Sequence, residues 1–396
     1  MNKVLKIDEI VSFEKTYSFS RAIEGVGEFR HIHYGDIHTK LPSVIENATI
    51  LPTITEKKDF QVIEQGDILV ADASEDYKDL GKAVCYIGDD TNVIAGLHTH
   101  LLRSNKNIVD PEYLINLFQT NRYQKYVWKM GTGVSVLGLS KSNLGKYEVH
   151  LPTLNEQKKV ANFFNKLNKK IQLQQQKIEL LQEQKKGFLQ KMFPKADEAQ
   201  PEMRFAGFTG DWEERALKEV GDFVRTSIDP QAAPDSEFIE YSMPSYDNGR
   251  LPEHVLGKSM QSMRLKISGE VLLINKLNVR QKRIWLIEDA PDNAVASNEF
   301  MPFTSEKIDM TFLEQLMLSD KTTRDLESIS SGTSNSQKRI TPPDVLKYQI
   351  KLPKERDEQE KIGIFFKQLD NIIVLHQQKI DIYKEQKKGF MQQMFI

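Results

Sequence analysis

A long internal repeat constrains this chain more than any other feature. Residues 156–193, EQKKVANFFNKLNKKIQLQQQKIELLQEQKKGFLQKMF, align without gaps on 358–395, EQEKIGIFFKQLDNIIVLHQQKIDIYKEQKKGFMQQMF, at a constant offset of 202, with 21 identities in 38 positions. The likeness continues upstream more weakly: GKYEVHLP answers LKYQIKLP, Gly131-Thr132 answers Gly332-Thr333, and Gly66–Val70 faces Gly269–Leu273. A period near 200 residues is far longer than the roughly 20–50 residues of a solenoid unit. The chain reads instead as a tandem duplication, each copy a diverged globular portion closed by a nearly invariant helical one. Its 396 residues also exceed what one hydrophobic core usually organises. The expected boundaries are a first globular domain over 1–152, a helix over 153–193, a linker over 194–215, a second globular domain over 216–353 and a last helix over 354–396.

The repeated segments lack proline and are rich in Gln, Lys, Glu and Leu, so each predicts a helix about 57 Å long. Val160, Phe164, Leu167, Ile171, Ile178, Leu181, Phe188 and Met192 recur at steps of three and four, broken by Gln174 and Lys185. The second copy repeats the seam from Ile362 to Met394, with His376 and Lys387 in the polar slots. Such spacing is that of a coiled coil. An antiparallel pairing sets Gln174 against His376, and lays the stems of Lys185 and Lys387 across Phe366 and Phe164. Outward positions matter as much as the seam. Lys177, Glu183 and Lys186 are identical to Lys379, Glu385 and Lys388, although solvated positions ordinarily drift, which points to a partner that binds both copies alike. Gly187 and Gly389 join this candidate face, because glycine costs a helix interior about 1 kcal/mol against alanine. Either the helix ends there or another backbone comes close.

The globular portions have diverged, as expected of two copies that share a partner and recognise different targets. Short strands are expected around GEFRHIHYGDIH, GDILVADAS, KAVCYIG and HTHLLR, with a helix near 111–127. The second copy offers FIEYSMPS, GEVLLINKLN, KRIWLIED and a helix near 309–326, so both are mixed α and β and the chain as a whole is α+β. From 258 to 283 the second copy carries Lys258, Arg264, Lys266, Lys276, Arg280, Lys282 and Arg283 against one acid, Glu270, a surface suited to phosphates. The following loop, 330–343, combines Gly332, Thr333 and Ser336, whose small side chains admit a phosphate, with Gln337, Lys338 and Arg339, able to bond phosphates or base edges. An ordinary solvated loop is the competing reading. The matching loop at 130–143 contributes Gly131, Thr132 and Ser135.

Bulk charge says little, since Lys plus Arg at 54 against Asp plus Glu at 56 gives a net charge of −2. Any basic surface must be local. His31, His33, His38, His98 and His100 are expected to be base contacts or ordinary surface histidines; a metal site is not expected, because neither a second cysteine nor an acidic ligand pattern accompanies them. Cys85 is the single cysteine, no stretch approaches the roughly 18 apolar residues of a membrane span, and the start MNKVLKIDEI lacks a secretory apolar core, so a cytoplasmic protein without membrane contact is expected. No GxxxxGK[ST], GxGxxG, GxSxG or HExxH occurs, and TPPD at 341–344 lacks the flanking residues of an amino-methyltransferase motif. The chain is expected to catalyse nothing by itself.

Taken together, LP-x-x-x-EQ-x-K-[IV]-x-x-FF opening each helix, EQKKGF-x-Q-x-MF closing it, and Arg204-Phe205, Gly207-Phe208 and Trp212 in the joining segment resemble the specificity subunit of a type I restriction-modification enzyme, along the whole chain. The first copy departs from that pattern, entering its domain without the RF and W elements. The resemblance implies two target-recognition domains, each reading one part of a split double-stranded DNA sequence, separated by two antiparallel helices that set the spacer. It further implies two copies of a modification subunit docked on the repeated helices, restriction subunits joining that core, and S-adenosylmethionine, ATP and magnesium held by those partners, with no cofactor in this chain. A non-catalytic coiled-coil adaptor tethering proteins is the alternative, and it predicts no salt-dependent duplex binding.

Overall fold

The computed structural model of the chain describes residues 3–332 and 338–395. Two long helices dominate, Leu154–Met192 and Arg356–Met394, of 39 residues each. The first starts at a capping box: Glu156 Oε2 accepts from the Thr153 amide at 3.0 Å and from its hydroxyl at 2.7 Å. Contacts divide the chain into two compact units, Met1–Gln175 with Gln378–Ile396, and Gln176–Gln377. Each unit therefore owns one globular portion, the half of one long helix that leaves it and the opposite half of the other.

In the first unit a sheet of five strands runs in the order Val11–Glu14, Thr99–Ser104, Asp67–Ala71, Ala83–Tyr86, Val44–Ile45, antiparallel except for the last pair. A second sheet pairs Glu24–Ile32 with Thr53–Ile54 and, in parallel, with Val93–Ala95. The second unit repeats the plan. Asp222–Phe223, Phe300–Thr304, Gly269–Asn275 and Ile284–Ala290 form the first sheet, and Glu237–Tyr241 lies parallel to Ala294–Ala296 in the other. A short two-stranded ladder closes each unit at its helix, Lys3–Lys6 on Glu148–Leu151 and Glu213–Ala216 on Gln349–Leu352.

Three expectations need refinement. The helix near 111–127 is two, Pro111–Leu117 and Asn121–Met130, because Thr120 caps a new start with its side chain. The helix near 309–326 is likewise Met310–Leu318 and Asp320–Ser328, with Ser319 as the cap. GEFRHIHYGDIH is a strand only to Ile32; Tyr34–Thr39 is helical, started by the His33 ring accepting from the Gly35 amide at 3.1 Å.

The globular portions grip their helices through a buried glutamine repeated in both copies. Gln157, 1% exposed, accepts from the Asp110 amide and donates to the carbonyls of Ile108 and Pro152. Gln359, 3% exposed, accepts from Asp309 and donates to Pro353. A buried amide with its hydrogen bonds met has no neutral replacement, which gives the EQ identity a structural cause. Phe164 and Phe366, both fully buried, do the same for the paired phenylalanines.

Within each unit the long helices pack antiparallel. Phe163 meets Phe390 edge-on at 5.0 Å and the Lys170 ammonium lies 5.9 Å from the Tyr383 ring in the first, while Phe188 meets Phe365 at 5.2 Å in the second. The register is displaced by about three residues from the layers that the polar slots suggested. Lys185 consequently pairs with Asp370, both oxygens at 2.7 Å, instead of lying across Phe366, and Lys387 donates to Gln119 Oε1 at 2.7 Å instead of covering Phe164. Near the end of the second helix the buried position is Met391, 9% exposed, whereas Phe390 and Met394 stand 38% and 40% exposed. A straight α-helix drifts about 20° per heptad from a 3.5 repeat, and over five heptads that moves the buried stripe by one position. Gln174 and His376 sit where the two units divide the helices.

Candidate nucleic-acid interface

In each copy a backbone bridge ties the two ends of the loop where Gly131-Thr132 answers Gly332-Thr333. In the first unit Thr132 and Gly138 exchange two backbone hydrogen bonds, 2.7 and 3.0 Å, and hold the loop between them. In the second, Ser331 and Arg339 do so at 2.7 and 2.9 Å. Gly133 takes φ +134° and Gly332 φ +150°, conformations that L side chains rarely adopt. At Gly133 an added Cβ would also lie 2.0 Å from the Val136 carbonyl oxygen. The first loop is thereby forced outward: Val134 is fully exposed, Val136 half-exposed and Ser135 exposed. Gly131 faces inward, its Cα against the Leu80 side chain, so its role is close packing at the end of helix Asn121–Met130. Thr333, Ser336 and Gln337 lie outside the described residues. Lys338 is half-buried and its carbonyl accepts from the Asn278 amide at 2.9 Å.

The basic run of the second copy is present, but its charges are not bare. Arg283 makes a two-pronged pair with Asp247 at 2.8 and 2.7 Å, Arg280 pairs with Glu327, Lys282 with Asp320, and Arg339 with both oxygens of Glu299 at 3.0 and 3.1 Å. Farther along, Arg264 meets Glu240 and Lys258 meets Asp235. Lys276 donates to the Asn298 carbonyl at 2.6 Å, and burial lowers its pKa from the usual lysine value. The carboxylates respond as expected. Arg283 holds Asp247, Arg280 holds Glu327 and Lys282 holds Asp320 below the ordinary carboxylate range. Each acid comes from a segment remote in sequence, so the run between 258 and 283 reads as more positive than the surface it forms. Solvent screens the exposed pairs among these, such as Arg280 with Glu327 and Lys258 with Asp235, so a phosphate that takes one of those cations loses little by displacing the carboxylate.

In the first unit five histidines converge. Tyr34 lies tilted against His33 at 4.6 Å and meets His38 and His98 edge-on at 5.4 and 5.2 Å, while Asp72 lies 3.3 Å from His98 and 3.8 Å from His100. Burial pushes the pKa of His33, His38 and His100 down, so these rings are neutral at pH 7 and serve hydrogen bonding and stacking more than charge. His98 is half-exposed and held at φ +52°. Among the described residues no group of three or more His, Cys, Asp or Glu is placed to hold a metal ion.

The outward faces of the long helices complete the picture. Lys177, Glu183, Lys186, Lys379, Glu385 and Lys388 are all exposed. At Gly187 and Gly389 the helices run straight on, and a Cβ added to either would meet nothing within 4 Å. Neither reason expected for these glycines, a helix end or a close backbone in the chain itself, applies. Sequence reading passed over a second repeated feature: Leu173 and Leu180, 51% and 48% exposed, correspond to Leu375 and Ile382, 55% and 56% exposed. Their spacing of seven puts each pair on one helix face. Their signal was a second apolar step outside the seam.

Beside each of these helix halves lies a groove. In the second unit, Lys185, Lys186, Leu189 and Phe193 face Leu316, Ser319, Asp320 and Tyr348 across a cavity of about 1120 Å³. In the first, Lys387, Lys388, Met391 and Phe395 face Gln119, Thr120 and Arg122 across about 400 Å³. Among the described residues no helix is long and apolar enough to cross a membrane.

Comparison with known proteins agrees with this architecture. The type I restriction modification DNA specificity domain matches twice, over residues 2–183 and 209–382. The MjaVIII type I restriction enzyme specificity subunit of Methanocaldococcus jannaschii is 27% identical over 309 residues, 73% of this chain and 70% of the relative. The putative MjaX specificity subunit of the same organism is 32% identical over 133 residues, 33% of this chain and 31% of the relative. Among solved structures, the S subunit of a type I restriction-modification system from M. genitalium shares the fold with a TM-score of 0.64 at 13% identity, covering 100% of this chain and 96% of that one. A chain from a structure concerned with complex assembly and conformational transition of the type I R-M system matches with a TM-score of 0.55 at 14% identity, covering 100% and 97%. With two matched domains spanning most of its length, this chain belongs to the type I restriction-modification DNA specificity family, as a non-catalytic specificity subunit whose two target-recognition domains read DNA sequence within a multisubunit complex.

Proposed function

We propose that each unit reads one part of a bipartite duplex target through its bridged loop and the surface beside it, and that two copies of a modification subunit dock on the repeated helices. One observation carries the docking reading: Gly187 and Gly389 are kept in both copies at sites where, among the described residues, nothing comes within 4 Å of an added Cβ. A glycine that weakens its helix without serving its own fold is accounted for by a second backbone that must come close there. The exposed charges at 177, 183 and 186 and at 379, 385 and 388 flank those glycines with the same pattern, which suits two identical partners.

The DNA-facing set comprises Thr132 and Ser135 in the first unit, with Gly131 packed inward behind them, and Lys276, Arg280, Lys282, Arg283, Gly332, Thr333, Ser336, Lys338 and Arg339 in the second. Cations released from their carboxylates would neutralise phosphates and fix register, while loop side chains address base edges. The long helices, about 58 Å of rise each, set the spacing between the two parts of the target. In this reading methyl transfer with S-adenosylmethionine belongs to the modification subunits, and ATP- and magnesium-dependent restriction to further subunits that join the complex in the cytoplasm. Methylome sequencing of cells with and without the gene tests the proposal. A bipartite adenine-methylation motif should vanish on deletion; an unchanged methylome from a locus whose modification subunit is expressed would exclude it.

A further inference from the structure

The joining segment of the second unit shows what the start of a long helix can bind. Met203 donates its amide to the Lys191 carbonyl at 2.8 Å, and Arg204 then closes a two-pronged pair on Glu358, Nε to Oε1 at 2.6 Å and Nη2 to Oε2 at 2.7 Å. Glu358 is 1% exposed beneath it. Phe205 packs edge-on against Phe365 at 6.0 Å, and Phe208 lies under the Lys361 ammonium at 4.7 Å. Gly207 and Gly210, at φ +95° and +83°, turn the segment so that Arg204 also reaches the carbonyls of Thr209 and Gly210.

The three receiving residues recur in the first copy, where Glu156, Lys159 and Phe163 stand at the positions of Glu358, Lys361 and Phe365, whereas the guest sequence RFAGF occurs once in the 396 residues. The aromatic pair beneath is also kept, Phe163 on Phe390 in place of Phe365 on Phe188. Among the described residues of the first unit nothing covers this face: Glu156 and Lys159 are exposed and Phe163 is 37% exposed. Glu156 uses one oxygen, Oε2, to cap the helix, and hydrogen bonds from Thr153 hold its carboxyl below the usual range. The carboxylate is therefore charged at neutral pH with Oε1 available to a second donor.

We propose that Glu156, Lys159 and Phe163 form a docking site for an extended segment of a partner polypeptide that carries arginine next to phenylalanine, with a second aromatic three residues on. The arginine pairs with Glu156, the first ring adds to Phe163 and Phe390, and the second lies under Lys159. Charge and shape complementarity are those of the segment already seated on the second copy.

A fluorescently labelled synthetic peptide of residues 203–212, titrated into the full-length chain, tests this by anisotropy. Saturable binding of one peptide per chain is expected. It should weaken by roughly tenfold or more, about 1.4 kcal/mol, in Glu156→Gln, which removes the charge that assists the hydrogen bond, and in Phe163→Ala, which removes the ring contact. Glu156→Gln keeps an acceptor for the helix cap, and Phe163→Ala leaves the cap untouched, so loss through misfolding is separable by circular dichroism. A peptide with glutamate in place of the arginine should regain binding to Glu156→Arg. The proposal is overturned by no saturable binding at millimolar peptide, by equal binding to all variants, or by binding that responds to Glu358→Gln instead of Glu156→Gln.

Discussion

Lys185 and Lys387 hold the same position in the two copies and have opposite energetics. Lys185 is answered by Asp370, but the residue at the corresponding place in the first copy is Asn168, and Lys387 ends on the neutral Gln119 amide. Burial pushes the Lys387 pKa from 10.5 down to about 8. A lysine whose folded pKa lies below its unfolded one opposes folding when protonated. The cost is absent above about pH 10.5, where both states are neutral, grows as pH falls through the interval, and is complete below about 8. Lys387→Met should therefore stabilise the chain at pH 7 by about 2 kcal/mol and leave it unchanged near pH 10.5. Lys185→Met should destabilise by about 1 kcal/mol, having stranded a part-exposed carboxylate. Urea unfolding at the two pH values distinguishes them. On the DNA side, Lys338→Ala with Arg339→Ala should weaken duplex binding alike for all sequences and lower the salt slope by about one for each phosphate no longer neutralised, leaving partner assembly intact. Which cations were already paired could not be read from the chain: Asp247, Asp320, Glu327 and Glu299 lie tens of residues from their partners, and only the tertiary fold brings them together.

Among the elements, those with strong local signals were legible. Strands such as Gly269–Asn275 and Asp67–Ala71 declare themselves by unbroken β-branched and leucine runs, and the long helices by their period. Breaks inside helices were not, because Thr120 and Ser319 interrupt otherwise continuous helical patterns through side-chain caps that compete with the helix only once its end is packed. Helix register was likewise beyond the sequence, since three-residue shifts keep the same stripe and the choice falls to the domains that grip Gln157 and Gln359. One repeated position shows how local that grip is. Gly363 crosses the start of helix Met310–Leu318 so closely that an added Cβ would lie 2.0 Å from Thr311 Oγ1 and 2.7 Å from the Phe312 amide nitrogen. The first copy has Ala161 there, 3% exposed. Gly363→Ala should destabilise by about 1–3 kcal/mol through overpacking, and thermal unfolding will show whether the crossing yields or holds. Ala161→Gly should cost the helix penalty of about 1 kcal/mol together with the loss of one buried methyl, about 0.8 kcal/mol.

At the scale of the whole molecule, the duplication makes a quantitative statement about assembly. In the proposed docking, two copies of one helix face would serve two equivalent partners, and each could be damaged without the other. Lys186 is 65% exposed and its nearest acid, Asp320, is 3.8 Å away, so its charge adds little to the fold. Lys388 is exposed as well. Lys186→Glu or Lys388→Glu alone should leave a chain that binds one modification subunit, and the double variant one that binds none, as read by native mass spectrometry of the reconstituted complex. Gly187→Ala and Gly389→Ala sharpen the test, because their effects have opposite signs in the two states. Nothing among the described residues meets the added methyl, so each helix should gain up to about 1 kcal/mol in the free protein, while a partner backbone seated at that point would be pushed away. A variant that melts later yet no longer assembles locates the partner's approach at the glycine; one that melts later and assembles normally removes the glycines from the interface.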